Sequence, residues 1–443
     1  MLRTTTSARP ALQKPLVAAL EMGYGHLRAA HSLAERLGEH VVLVDRAPLA
    51  GDEEQKLWRR VRNAYELTSR LSTLPLVGAP LKWGLDQLTS IPHLHPYRDL
   101  SAPTHGVVTL DRLIRRNLGQ GLVEELRRTG RPLLTTFYSP AILADRARIE
   151  HVYCVVTDTD VNRIWVPIDA GRTRIRYLCP THRAGKRLRL YGVPPERITF
   201  TGFPLPHELV GGPELTALAK NLAARIVRLD PDGEFRHEYP EELAHFLGPL
   251  PPDEERRPPL VTFAVGGAGA QAELAAQFLP SMRRDIEEGR LRVALVAGVK
   301  PKVKQAFEEC LRAARLEDAL GRGVELLYHP ELEAYFDEMN ALLARTDILW
   351  TKPSEMCFYA ALGIPLVCAS PVGVHERLNR RWVREAGAGF KQRDARFAAE
   401  WLGDMISEGT MAAAAWAGFM RLPKFGLYRI LETVGAGSPG RSA

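Results

Sequence analysis

Cysteine is scarce in this chain: Cys154, Cys179, Cys310, Cys357 and Cys368 are odd in number, widely spaced and mostly set in apolar runs. That usage excludes a disulfide framework and reads as reduced core thiols of a cytosolic protein. Cys179 and His182 have the spacing of metal ligands but lack a second pair, so no zinc site is expected. No apolar run approaches the roughly 20 residues of a membrane span, and the opening MLRTTTSARP lacks the apolar centre of a signal peptide. The expectation is a cytoplasmic protein, with any membrane contact peripheral and on the inner face. A recognisable nucleic-acid reading motif is also missing, so nucleic acid is not an expected partner. The net charge of +7 fits phosphates or acidic lipid surfaces, and equally a merely basic enzyme.

What is present is enough chain, 443 residues with 45% hydrophobic content, for two α/β domains with their own cores. Residues 16–20 read as a buried strand, 21–26 as a glycine loop, 27–37 as an amphipathic helix and 41–45 as a second strand. Gly23 and Gly25 permit a tight turn that aims backbone amides and His26 across a helix N-terminus. As a dinucleotide fingerprint the loop is G-x-G-x-x-R, followed by Asp45 where a ribose-binding acid would be wanted. Arg28 stands where Gly or Ala allows close packing, which disfavours NAD. From 56 to 95, Trp58, Arg59, Arg60, Arg62, Tyr65, Arg70, Lys82 and Trp83 interleave aromatic and basic side chains among leucines. The segment suits an anionic membrane surface, or else a pair of ordinary packed helices.

The remainder of the first half reads as a helix over 111–128, a strand over 133–137 delivering Tyr138 and Ser139 to the sheet edge, and a strand over 151–157 ending in Asp158-Thr159-Asp160. Two carboxylates at that spacing are a weak metal signal, and no metal is expected. A strand over 176–179, a helix over 183–190 and a strand over 198–201 complete the domain. The predicted boundaries are 1–204 for an N-terminal Rossmann-like domain and 205–259 for a helical insert and linker ending in GPLPPDEERRPP. A C-terminal Rossmann-like domain follows over 260–415, then a tail over 416–443 that packs back across both. The second domain again opens strand, glycine loop (GGAGAQ), helix, and the loop amides of Gly267, Ala268 and Gly269 could cradle a diphosphate. Its most site-like stretch is 351–379. There a strand ends at Thr351-Lys352, Ser354 is the expected N-cap of a helix from Glu355, and Gly363 and Pro365 stop it. A second strand leads to a loop carrying His375, Glu376 and Asn379.

Two Rossmann-like halves, a glycine loop opening each, and a T-K-…-G-(I/L)-P-…-E-x-x-N pattern resemble the GT-B glycosyltransferases. More narrowly, the chain is similar to the branch of monogalactosyldiacylglycerol synthases and the lipid II-forming N-acetylglucosaminyltransferase. The matching motifs are Gly23-Tyr24-Gly25-His26, Val156-Thr157-Asp158, Cys179-Pro180-Thr181 through Gly202-Phe203-Pro204, Gly266 to Gln271, Thr351-Lys352 and His375 to Asn379. The resemblance implies an α/β fold of two Rossmann-like domains facing each other across a cleft. A nucleotide-sugar co-substrate, UDP-linked, would sit on the second domain, with no other cofactor and no required metal, and an acceptor hydroxyl, in this branch a lipid's, on the first. It assigns donor binding to Gly267, Ala268, Gly269, Lys352, Ser354, Glu355, His375, Glu376 and Asn379, and the acceptor side to Gly23, Gly25, Tyr138 and Ser139. His26 or Asp158 becomes the base. A nucleotide-sugar epimerase or hydrolase, or a non-catalytic nucleotide-binding protein, fits the same fold. One departure is specific: where the family has a ribose-binding Glu, this chain has Phe358, and Glu355 lies three residues earlier.

Overall fold

The computed structural model describes residues 13–60, 91–253, 257–264, 272–371 and 373–435. Two parallel six-stranded sheets organise them. The first contains β1 (Leu16–Ala19), β2 (Val42–Leu43), β3 (Leu133–Thr135), β4 (Val152–Val155), β5 (Arg176–Cys179) and β6 (Ile198–Phe200), in the order β2-β1-β3-β4-β5-β6. The second contains β7 (Leu260–Ala264), β8 (Arg292–Gly298), β9 (Val324–Tyr328), β10 (Ile348–Thr351), β11 (Leu366–Cys368) and β12 (Gly389–Lys391). Their order, β9-β8-β7-β10-β11-β12, is that of a dinucleotide-binding Rossmann sheet. Every strand pair is parallel, and helical crossovers cover the faces, so the strands read as short, mostly apolar runs. This is the GT-B arrangement of two Rossmann-like domains. The strand order reverses between β1 and β3 in one sheet and between β7 and β10 in the other, which opens a crevice at each carboxyl edge.

Several elements differ from the sequence expectation for local reasons. The first helix is Tyr24–Leu37, so Gly25 and His26 belong to its first turn and not to a loop ahead of it. The helix expected over 111–128 is two, His105–Arg115 and Gln120–Thr129, because Asn117 (φ 65°) and Gly119 (φ 75°) adopt left-handed backbone between them. Residues 355–362 form a 3₁₀ helix, Glu355–Leu362, and Ser354 makes no side-chain cap to it. Residues 375–379 are not a loop but the first turns of the helix Val374–Glu385. Of the aromatic-basic segment, residues 61–90 lie outside the described residues. In its described part Trp58 is buried in the first-domain core, its indole donating to Glu54, so this tryptophan is not available to a bilayer.

The two sheets share one continuous hydrophobic cluster that runs from Val17 and Leu27 through Phe203 to Trp350 and Ile430. The helix Thr216–Arg228 is pinned to the second domain by Arg225, which is buried and donates to the carbonyls of Thr346, Leu362 and Gly363 at 2.8, 3.1 and 3.1 Å. The final helices, Ala398–Ser407, Thr410–Arg421 and Gly426–Thr433, start on the second domain and return to the first. There a Cβ placed on Gly426 would stand 2.0 Å from the Phe203 carbonyl oxygen, and Tyr428 hydrogen-bonds His207 at 2.8 Å. Backbone cannot yield as a side chain would. Gly426→Ala is therefore expected to cost on the order of 1–3 kcal/mol of stability, read as a lower urea midpoint together with faster proteolytic removal of the tail. An unchanged midpoint would mean that the last helix is not docked this tightly in solution.

Candidate functional site

The carboxyl ends of the two sheets meet, and the side chains singled out in the sequence are distributed on either side of that junction. On the first domain, His26 lies over the point where β1 and β3 diverge. Its Nδ1 is 2.9 Å from the Thr136 carbonyl oxygen and 2.9 Å from Thr157 Oγ1. A carbonyl only accepts, so Nδ1 carries the proton and the lone pair of the neutral ring resides on Nε2. Among the described residues Nε2 has no hydrogen-bond partner. Phe137 packs edge-on at 4.6 Å between ring centroids, and Thr136 Oγ1 returns a bond to the His26 carbonyl, so the ring is held from three sides. Burial pulls the His26 pKa below its usual value; Asp158, the Thr136 carbonyl and Glu355 act against that, and His375 adds to it. The net effect favours the neutral imidazole.

Tyr138 stacks on Phe137 at the start of the helix Tyr138–Arg146. Ser139 is buried, and among the described residues its hydroxyl has no hydrogen-bond partner. Asp160 takes no part in the site: both carboxylate oxygens are held by Arg183 and Arg187 at 2.9–3.0 Å, which leaves no oxygen of the D-x-D pair's second acid for a cation.

From the second domain, Asn379 reaches across. It is completely buried, and its side-chain amide is saturated. Oδ1 accepts from the Thr159 amide (3.0 Å) and Thr159 Oγ1 (2.7 Å), while Nδ2 donates to Asp158 Oδ1 (3.1 Å) and the Pro353 carbonyl (3.2 Å). A role for Asn379 at a sugar hydroxyl is thereby replaced by a role as interdomain clasp. Glu376 is likewise buried and receives Lys352 Nζ at 2.9 Å, so the lysine at the end of β10 stands paired with an acid. His375 is half-buried, its ring folded over Gly373. Gly267, Ala268 and Gly269 lie outside the described residues.

The 3₁₀ geometry of Glu355–Leu362 resolves the displaced acid. In such a helix residues three apart eclipse one another, so Glu355 and Phe358 share one face, and that face meets the first domain. Phe358 stacks on Phe203 at 4.6 Å and 9°, which makes the position of the family's ribose acid part of the interdomain core. Glu355 lies against Gly25: a Cβ built there would be 2.7 Å from its Oε2. Only glycine at position 25 leaves room for the carboxylate.

Sequence reasoning did not find Arg28 as a member of this junction. It is buried, donates to the Tyr335 hydroxyl at 3.3 Å and stands over the rings of Tyr335, Phe336 and Tyr359 at 5.4–5.8 Å. The one available signal was its misfit to the dinucleotide fingerprint. Tyr24 joins the same surface by accepting the Val299 amide at 3.1 Å, and burial raises its phenol to about 12.

A family profile described as a domain of unknown function (DUF6938) matches residues 312–430, which takes in β9 to β12 and the first two tail helices. Comparison with curated proteins gives no match. Solved structures of similar chain path include S. aureus MnaA with UDP (13% identity, 98% of this chain, 100% of that chain, TM-score 0.48). Acinetobacter baumannii MurG is another (11%, 96%, 100%, 0.48). A third is Methanocaldococcus jannaschii UDP-GlcNAc 2-epimerase with UDP-GlcNAc and UDP (12%, 96%, 100%, 0.41).

Asn379→Asp is expected to convert the clasp into a repulsion, because a carboxylate would face Asp158 Oδ1 and the Pro353 carbonyl in place of two N–H donors. The variant should lose about 3 kcal/mol at pH 7, on the scale of 1–3 kcal/mol for each buried group left unsatisfied. Part of the loss should return as pH falls and one carboxyl of the pair protonates. Denaturant titrations at pH 5 and 8 measure this, and a pH-independent loss would contradict it.

Proposed function

We propose that this protein is a glycosyltransferase that moves a sugar from a UDP-linked donor on the second domain to an acceptor hydroxyl on the first, with His26 as the proton acceptor. The observation that carries the reading is the state of His26: a neutral imidazole whose Nδ1 proton is fixed by the Thr136 carbonyl, leaving the Nε2 lone pair without a partner at the junction of the two sheet edges. General-base catalysis needs that tautomer, that charge and that position. In the proposed step the acceptor oxygen gives its proton to Nε2 as it bonds to the sugar's anomeric carbon. The bond from that carbon to the diphosphate breaks, and UDP leaves with the electron pair. Charge developing on the leaving group calls for donors at the β7/β10 switch point, where Lys352 stands and where the Gly267–Gly269 amides follow β7 in sequence. We assign the acceptor side to Gly23, Gly25, Tyr138 and Ser139, and take a lipid hydroxyl as the acceptor class, following the sequence resemblance.

A second reading draws on a different observation. Asp158 follows Thr157, which hydrogen-bonds the His26 ring, and Glu355 lies against Gly25, so carboxylates from both domains adjoin the histidine. A UDP-sugar epimerase or hydrolase would need that set. Incubation with a panel of nucleotide sugars, with and without a lipid extract, separates the two. UDP release that depends on the extract supports transfer. Release or sugar inversion without it supports the second reading, and nucleotide binding with no turnover under either condition would overturn both.

His26→Ala is expected to lower kcat by about 10²–10⁴-fold, the usual contribution of a general base, while leaving the UDP dissociation constant nearly unchanged by calorimetry. Because burial depresses the His26 pKa, turnover should stay flat from pH 8 down through about 6.5, the ordinary histidine value. It should then fall on the acid side as the imidazole takes up a proton. A rate that already halves near pH 7 would argue against a buried neutral histidine as the base.

A further inference from the structure

The first helix, Tyr24–Leu37, begins without the two usual devices for satisfying a helix N-terminus. Gly23 at the cap position offers no side chain, and no acidic residue stands in the first turn. The missing negative charge comes from the other domain. Glu355 projects from the 3₁₀ helix Glu355–Leu362 and lays its carboxylate on Gly25, the residue immediately before His26, so closely that any side chain at 25 would displace it. The other acid acting on the ring, Asp158, belongs to the first domain but is held by Asn379 Nδ2, again from the second.

We propose that Glu355 is a positioning residue for His26, contributed across the domain junction, so that the acceptor-side base is complete only when the second domain is in place. The inference rests on the reading of His26 as proton acceptor and assigns Glu355 to that half of the site, away from the donor ribose. Its physical content is electrostatic. When Nε2 takes the acceptor proton the ring becomes a cation in a low-dielectric setting, and the carboxylates of Asp158 and Glu355 offset that charge at the moment it appears. The charged and titratable groups that act on the ring are Asp158 from the end of β4, Glu355 from the 3₁₀ helix and His375 from the helix Val374–Glu385. The first two favour the protonated ring and the third opposes it.

The test is a titration of His26 in the full chain by NMR of histidine labelled at Cε1, with the resonance assigned by His26→Gln. Glu355→Gln keeps size and hydrogen-bonding capacity and removes only the charge. It should lower the His26 midpoint by about half a unit or more and change the UDP dissociation constant by less than roughly threefold. Gly25→Ala, which leaves Glu355 intact but forces its carboxylate off the helix, should shift the midpoint in the same direction. A role confined to packing would leave both midpoints at the wild-type value, and that result overturns the proposal. So does an unchanged midpoint with a tenfold loss of UDP affinity in Glu355→Gln, which would return the residue to the ribose. The midpoint is read without turnover. The positioning role can therefore fail while His26→Ala still slows transfer, and it can hold while the transferase reading fails.

Discussion

Everything at the junction of the two domains depends on one buried amide. Asn379 has two acceptor sites and two donors, and all four are used, three of them by groups of the other domain. An amide left half-satisfied in so dry a place would cost about as much as it contributes here, so the clasp is effectively all or none. Because it grips both the strand end that carries Asp158 and the turn after β10 that carries Pro353, the distance between the two switch points is fixed by a side chain and not by the linker. Glu376, one helical turn before it, is buried in the same helix and neutralises Lys352, so the turn that makes the clasp also sets the charge at the second crevice.

The surface around the clasp is chemically unlike a wet hinge. Phe203 stacked on Phe358, Tyr24 tilted against Tyr335 and edge-on to Phe336, and Arg28 among three rings make an aromatic interdomain contact around a buried cation. Guanidinium groups tolerate such desolvation because their charge is spread over a plane that aromatic faces can match. The arginine that spoils a dinucleotide fingerprint in the sequence is thus the residue that lets the first helix dock on the second domain.

How much of this was legible beforehand follows from what is encoded locally. The strands over 176–179 and 198–201 and the helix over 183–190 were readable to within a residue, because apolar runs and amphipathic periods are properties of neighbours in sequence. The two-domain plan followed from two strand, glycine loop, helix openings. Local pattern could not separate an α-helix from a 3₁₀ helix over 355–362, and that difference decides which way Glu355 points. Nor could it assign Asn379 to Thr159, a partner 220 residues distant, or find Arg187 as the partner of Asp160. Polar residues at strand ends advertise hydrogen-bonding capacity, and only the tertiary fold says which groups use it.

The tail helix gives the molecule a mechanical property. The chain crosses between domains near Phe203 and again near Gly426, and at the second crossing bare backbone rests on the carbonyl of the first. Two crossings in contact act as a pivot, so the domains can part by turning about that point but not by drawing straight apart. A rotation about that point would keep Phe203 and Gly426 together while separating Asn379 from Thr159.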